Sequence, residues 1–468
     1  MNMRQPLFGT LPRPRAAALD GKRVLVLGLG DTGLSVVNWV KREGGEVRIA
    51  DTRPSPPRKK DLPREEIATG KFKSSLLNDI DLVCISPGIS LSEPIIGDAI
   101  RKKIPVLGDI ELFAWEVRRK SPAKVLAVTG TNGKSTVAAL TGHLLRTAGV
   151  DCEVAGNIGP AALEALLKRR ATPPAAWVLE LSSYQLETTW ALAPDAAAML
   201  NLSEDHLDRY AGLAQYAAAK ARVFQGSGVQ LLNRNDSVSM ALALPGRAQV
   251  TFGPDAPPLP EDFGIVSTIG ADGRDWLARG SERILAADEL PIPGAHNAAN
   301  ALAACALAHL AGAPLAMLAD GLRSFHGLPH RMQRVALRRG AAWFDDSKGT
   351  NVGATVAALR GLSQRTILIL GGDAKGQDFS PLVPAVQARA AHVLLIGRDA
   401  PLIKRALAKA RVPIESFASL ESAVARAAKI ARPGDAVLLS PACASFDMFR
   451  DYRHRGEAFA AAVKGLGD

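Results

Sequence analysis

Seven consecutive residues, Gly130-Thr-Asn-Gly-Lys-Ser-Thr136, offer hydrogen-bond donors at nearly every position. Glycine lets a backbone approach a ligand closely, and loop N–H groups with a helix N-terminus make a site for anionic oxygens. Lys134 can reach phosphates and the Ser135 hydroxyl can hold a metal, which is the chemistry of an ATP phosphate loop with Mg²⁺. The general motif has one more glycine where this chain has Val128, so the loop is a short Gly-x-x-Gly-Lys-Ser form. The competing reading is an ordinary strand-to-helix turn of small residues.

Further reactive groups follow at strand ends. Glu180 closes the apolar run Trp177-Val-Leu-Glu180, where phosphate-loop proteins carry a metal carboxylate. A buried, unpartnered carboxylate is costly, so a metal partner is economical, with a surface-facing strand tip as the alternative. Asp205 and His206 follow the run Ala196–Leu202 and suit a second divalent ion, unless the histidine is structural. Lys220, by residue type alone, is a helix lysine. Asn157, in the turn Gly156-Asn-Ile-Gly159, presents an amide. Asn297 and Asn300 share one helix face, to bind a base or ribose or to cap the helix. Asp345-Asp346-Ser-Lys348-Gly-Thr350 crowds acids, a lysine and hydroxyls at a strand tip. Buried charge needs partners, so this tip is expected to face the ATP domain.

A second glycine loop, Gly28-Leu-Gly30-Asp-Thr-Gly33, follows the strand Arg23–Leu27 and opens the helix Leu34–Arg42. Asp51 ends the next strand about 20 residues on, completing a dinucleotide-type fingerprint. Thr52 and Arg53 add donors, and Ser86 and Gly88 follow the strand Asp81–Ile85, where ligands of open α/β sheets bind. Close helix–strand packing alone is the other explanation of the glycines. Asp109 and Glu111 are expected at a solvated helix start.

The elements that must hold these groups are buried strands alternating with helices. Lys124–Thr129 reads as a strand, and Thr136–Arg146 has helical spacing. Asn233–Gly280 suggests a short antiparallel edge, and Ala298–Leu322 is an alanine-rich buried helical region rather than a membrane span. At 468 residues and ~150 residues per domain, about three domains are expected. Apolar content of 47% and charged content of 22% are those of a globular protein. A net charge of +11 favours anionic partners, but no basic block with interleaved aromatics points to nucleic acid. The cysteines, Cys84, Cys152, Cys305 and Cys443, lack metal spacing and read as core residues of a reducing compartment. No apolar signal segment occurs in the first twenty residues. A cytoplasmic protein without membrane insertion is expected.

Taken together, Thr129–Thr136, Gly156–Gly159, Leu179–Glu187, Asn201–Tyr210, His296–Asn300 and His330-Arg331 resemble the motifs of the Mur ligase family, ATP-dependent amide ligases of peptidoglycan precursor synthesis. Asp51-Thr-Arg53, Ser86–Ile89, Asp345–Asn351 and Ser440–Asp447 resemble those members that add D-glutamate to UDP-N-acetylmuramoyl-L-alanine. The Asp-Asn-Pro-Arg motif of the diaminopimelate-adding members is absent. The phosphate loop alone also fits another Mur-type or a folylpolyglutamate-like amide ligase.

The resemblance implies an α/β fold of three domains: a Rossmann-like UDP-sugar-binding domain (1–119), a central P-loop ATPase-type parallel sheet (120–327) and a Rossmann-like C-terminal domain binding the amino acid (328–468). Asp31, Thr32, Asp51, Thr52, Arg53, Ser86 and Gly88 would bind the UDP substrate, with Asn157, Ser182 and Gln185 at its peptide end. Gly130, Thr131, Asn132, Gly133, Lys134, Ser135, Thr136, Asn297, Asn300, Arg331 and Asp346 would hold ATP. Ser135 and Glu180 would take one Mg²⁺, and His206 with a carbamylated Lys220 a second. Lys348, Thr350, Lys375, Ser445, Phe446 and Tyr452 would hold D-glutamate, with Lys134, His206, Lys220 and Lys348 serving catalysis. The reactants are expected in a cleft between the first two domains of a monomer. Asp31 stands where the family commonly has an apolar residue. An NAD oxidoreductase would explain the first loop but not the second, and a non-catalytic nucleotide-binding module would show no amino-acid-dependent ADP release.

Overall fold

In the computed structural model, which describes residues 11, 13–120, 122–207, 209–268, 273–292 and 294–466, the strands form three sheets. The first contains β1 (Arg23–Leu27), β2 (Glu46–Asp51), β3 (Ile67–Thr69), β4 (Leu82–Ile85) and β5 (Val106–Leu107). All pairs are parallel, in the order β3-β2-β1-β4-β5. Chain order reverses at β1, so a crevice opens at the carboxyl ends of β1 and β4. There the helix Asp31–Arg42 starts so close to β1 that a Cβ on Gly33 would lie 1.9 Å from the Gly28 carbonyl oxygen.

The second sheet contains β6 (Lys124–Thr129), β7 (Cys152–Gly156), β8 (Ala176–Glu180), β9 (Ala196–Met199), β10 (Val229–Asn233), β11 (Gln249–Phe252), β12 (Phe263–Ser267), β13 (Asp275–Arg279) and β14 (Glu282–Ala286). Its order is β14-β13-β12-β11-β10-β9-β6-β8-β7. The expected antiparallel edge is β12–β14, whereas β11 continues the parallel part. Over β6 lies the helix Lys134–Thr147, and against it packs Ala295–Leu310. Alanines at 301, 303, 304, 306 and 308 are fully buried, which lets the two helices approach closely. The alanine-rich stretch is two helices, because Gly312, at φ 109°, and Pro314 end one before Leu315–Ser324 begins.

The third sheet contains β15 (Gln333–Arg338), β16 (Ala341–Asp345), β17 (Thr366–Gly371), β18 (Ala390–Ile396), β19 (Ile414–Ser416) and β20 (Ala436–Leu439), ordered β15-β16-β20-β17-β18-β19. Only its β15–β16 pairing is antiparallel.

The cores divide unevenly. One apolar cluster runs without a break from the first sheet into the second, and Phe113 meets Trp177 edge-on at 5.2 Å within it. The third sheet has clusters of its own. Asp109 and Glu111 correct the expectation of a solvated helix start, being 1% and 0% exposed. They lie in the helix Asp109–Lys120, which plugs into the central unit. Glu111 accepts hydrogen bonds from Trp115 Nε1 (2.8 Å) and from the backbone N–H groups of Trp190 (2.6 Å) and Ala191 (2.7 Å). Apolar neighbours around Asp109 raise its carboxyl to about 6. All four cysteines are buried thiols. Among the described residues, no helix is long and apolar enough to cross a membrane.

Candidate active site

The phosphate loop connects β6 to the helix Lys134–Thr147, with Gly133 in the left-handed region at φ 84°. A Cβ there would stand 2.4 Å from Asn300 Oδ1, so strain and space both call for glycine. Asn201, at the end of β9, frames the loop. Its Oδ1 accepts from Asn132 N (2.8 Å), its Nδ2 donates to Asn132 O (3.0 Å), and its carbonyl accepts from Thr131 N (2.8 Å). Lys134 Nζ donates to the carbonyls of Gly130 (2.9 Å) and Thr131 (2.8 Å), folding back over its own loop. Burial lowers its pKa against the opposing fields of Glu180 and Asp205.

Glu180 ends β8, which pairs with β6 in parallel and sets the carboxylate beside the loop. It is 1% exposed; Asn157 Nδ2 donates to Oε1 at 2.7 Å, while Oε2 has no hydrogen-bond partner among the described residues. An orphaned carboxylate oxygen at a strand end beside the phosphate loop fits a divalent cation. Lys220, on the helix Leu213–Ala221, is 1% exposed, with Nζ 3.3 Å from Thr129 Oγ1 and 4.7 Å from the Tyr216 ring centre. Burial, then the nearby Lys134, drives its pKa well below the usual lysine range. A neutral amine is the form that carbamylates, and a carbamate would turn this buried lysine into an anionic oxygen ligand. No group of three His, Cys, Asp or Glu side chains is gathered as a metal cluster among the described residues.

A cavity of about 490 Å³ lies between the central and third sheets rather than between the first two. Asn132, Gly133 and Thr136 form one wall, Asn297 and Asn300 another, and Arg331, Asp346 and Lys348 the third. The third sheet reaches the loop directly: Arg331 Nη2 donates to Ser135 Oγ at 2.6 Å. Asn351, which ended the sequence motif without being assigned a role, caps the helix Val352–Gly361 and pairs its side-chain amide with that of Asn132 (3.1 and 3.4 Å). Its Nδ2 also lies 3.4 Å from Asp205 Oδ2. The cue was a helix-capping residue directly after a polar strand tip.

Asp346 accepts from Ser440 Oγ (2.7 Å) and Met332 N (3.2 Å), and burial raises it to about 7. Lys348 stacks 4.0 Å from the Tyr452 ring centre. Burial and the neighbouring Arg331 bring it down to about 8, opposed by Glu180. A β-bridge between Asp373 and Ala444 brings the loops of Lys375 and Ser445 together, and Lys375 Nζ lies 5.8 Å from the ring of Phe446, which is 66% exposed. Thr350 is half-buried on the same polar tip as Lys348.

In the first sheet, Asp51 is 1% exposed and already engaged, accepting from Leu29 N (2.7 Å) and from Arg53 N, Nε and Nη2 (2.8, 2.8 and 2.6 Å). Burial alone would raise its pKa, but these donors hold it at about 2. Asp51 builds the turn that carries the exposed Thr52 and Arg53. Asp31 is solvent-facing and ion-paired to Arg58 at 3.5 Å, and Thr32 is half-buried one residue into the helix. Ser86 Oγ donates to the Gly28 carbonyl (2.9 Å), tying the two loops together, and Gly88 is exposed. Ser182 and Gln185 form a reciprocal capping box on the helix Ser183–Glu187. Gln185 is 3% exposed, and its Nε2 lies 3.5 Å from Asp109 Oδ2.

Residues 22–108 match the family model of the Mur ligase MurD-like N-terminal domain, 128–308 that of the Mur ligase middle domain, and 330–443 that of the Mur ligase glutamate ligase domain. The UDP-N-acetylmuramoylalanine–D-glutamate ligase of Nitrosospira multiformis is 52% identical over 96% of this chain and 96% of its own. That of Aromatoleum aromaticum is 51% identical over 96% and 98%. Among solved structures, MurF from Acinetobacter baumannii aligns at a TM-score of 0.62 and 18% identity, covering 96% of this chain and 92% of its own, a likeness of fold.

Proposed function

Because the chain belongs to the Mur ligase family, we propose that it joins D-glutamate to UDP-N-acetylmuramoyl-L-alanine at the expense of ATP, in the cytoplasm and as a monomer. The observation that carries this reading is the meeting of the central and third units at the phosphate loop. Lys348, on the third sheet, sits in the fields of Lys134 and Glu180, and Arg331 touches Ser135.

A carboxylate accepts no amine until its oxygen becomes a leaving group. ATP provides this by phosphorylating the L-alanine carboxylate to an acyl phosphate; the D-glutamate amine attacks the carbonyl carbon, and phosphate departs. The loop N–H groups and Lys134 bind the triphosphate, Asn297 and Asn300 line its base-side wall, and Lys348 offsets negative charge on the transferring group. Thr52, Arg53, Ser86 and Gly88, with the glycine turn before Thr32, cradle the UDP end. Thr350, Lys375, Ser445, Phe446 and Tyr452 hold D-glutamate. Ser135 and Glu180 fit one Mg²⁺, and His206 with carbamylated Lys220 fits a second. When bound, these ions supply Lewis-acid neutralisation of phosphate charge. Docking of the third sheet excludes water from the acyl phosphate.

The test is phosphate release with UDP-N-acetylmuramoyl-L-alanine and, in turn, D-glutamate, L-alanine, L-lysine and diaminopimelate. Release is expected with D-glutamate alone and is lost in Lys134→Ala. Release indifferent to the amino acid would refute the reading.

A further inference from the structure

Tyr184 has no part in the chemistry above, yet its hydroxyl lies 2.7 Å from His206 Nδ1 and the two ring centres are 4.9 Å apart. His206 itself stands in the left-handed region at φ 55°, a conformation that a non-glycine residue keeps only where its surroundings hold it. Tyr184 is clamped in turn. The Arg209 guanidinium lies 4.1 Å from its ring centre. Arg209 is ion-paired to Glu187, which is 2% exposed and also accepts from Tyr210 Oη at 2.6 Å. From the same guanidinium, Nη1 donates to the carbonyls of Pro87 and Ile89, both at 3.2 Å, in the loop of Ser86 and Gly88.

We propose that Tyr184 is a positioning residue for His206, fixing the imidazole through Nδ1 so that Nε2 is the nitrogen offered to a divalent cation. The inference rests on the reading of His206 as a cation ligand. Nε2 is the nitrogen on the Asp205 side, 3.8 Å from its Oδ2. For Nε2 to lend its lone pair, the ring proton must reside on Nδ1, and the phenol oxygen is there to accept it. Partners of this kind set the tautomer and orientation of a ligating histidine. Through Arg209, the same chain of contacts ties the ring to the loop that would cradle the UDP substrate.

The experiment titrates Mn²⁺ into the full-length protein with bicarbonate and a non-hydrolysable ATP analogue, read by electron paramagnetic resonance. Tyr184→Phe keeps the ring and removes only the hydroxyl. It is expected to weaken one of two Mn²⁺ affinities about tenfold, the effect of losing an outer partner, while the melting temperature stays put. In a His206→Ala background the same change is expected to add nothing, since two residues that act through one another are not additive. Wild-type affinity in Tyr184→Phe, an undiminished effect in the His206→Ala background, or a single Mn²⁺ site in the wild-type protein would each overturn the proposal. Failure of the D-glutamate assignment is separate, because it would appear as amino-acid-independent phosphate release with both Mn²⁺ sites intact.

Discussion

Replacing Asn351 by aspartate is a one-atom test of whether the third sheet must dock on the phosphate loop. The carboxylate keeps the Oδ1 that caps Ala354 N (2.8 Å), so the helix Val352–Gly361 retains its start. What disappears is the amide donor to Asn132 Oδ1 at 3.1 Å and to Asp205 Oδ2 at 3.4 Å. The first bond contributes about 1 kcal/mol, and the second, being long, little more. A new carboxylate would then face Asp205 across that 3.4 Å separation, costing at least about 1 kcal/mol, the fully water-screened floor. The docked arrangement therefore loses at least about 2 kcal/mol, a shift of roughly 30-fold or more. Steady-state kinetics should show that loss in kcat/KM for D-glutamate, with the melting temperature unchanged. Small-angle scattering should give a larger radius of gyration. Rates and dimensions within twofold of wild type would refute the argument, and so would a drop in melting temperature equal to that of Asn351→Ala.

Asp346 carries a pH signature: its native pKa of about 7 lies above the ordinary 3.8, so between those values the folded state binds more protons than the unfolded one. Stability therefore falls as pH rises through that window, and Asp346→Asn should remove about 2–3 kcal/mol of the decline between pH 5 and pH 8, read from urea midpoints. Glu111→Ala strands the N–H groups of Trp115, Trp190 and Ala191 in the joint between the first two sheets. Urea unfolding should show a loss of about 3 kcal/mol, with Glu111→Gln retaining most of the stability.

The phosphate loop was legible because its glycines and donors are local and contiguous, and Glu180 because parallel strands end in register beside it. What could not be read was which polar groups the fold uses for itself. Asp51 looked ligand-ready, yet Leu29 N reaches it across the sheet; only the bond from Arg53 N, two residues on, had a local signature. Ser182-x-x-Gln185 spelled a capping box. Asp109 and Glu111 alternate with Ile110 and Leu112, all buried against another domain that periodicity cannot foresee. The cavity between the central and third sheets depends on where the third unit docks, which no stretch of sequence encodes alone.

The unbroken apolar seam joining the first two sheets leaves no yielding surface between them, whereas the third unit carries its own interior. On the proposed reading, the UDP substrate and the phosphate loop share one continuous core. The third unit closes the nucleotide cavity through Arg331, Asp346 and Lys348, and the residues proposed for the incoming amine lie on that unit's own core. If that reading holds, substitutions that change the amine can sit in the third unit's own interior and leave the shared core of the first two sheets untouched.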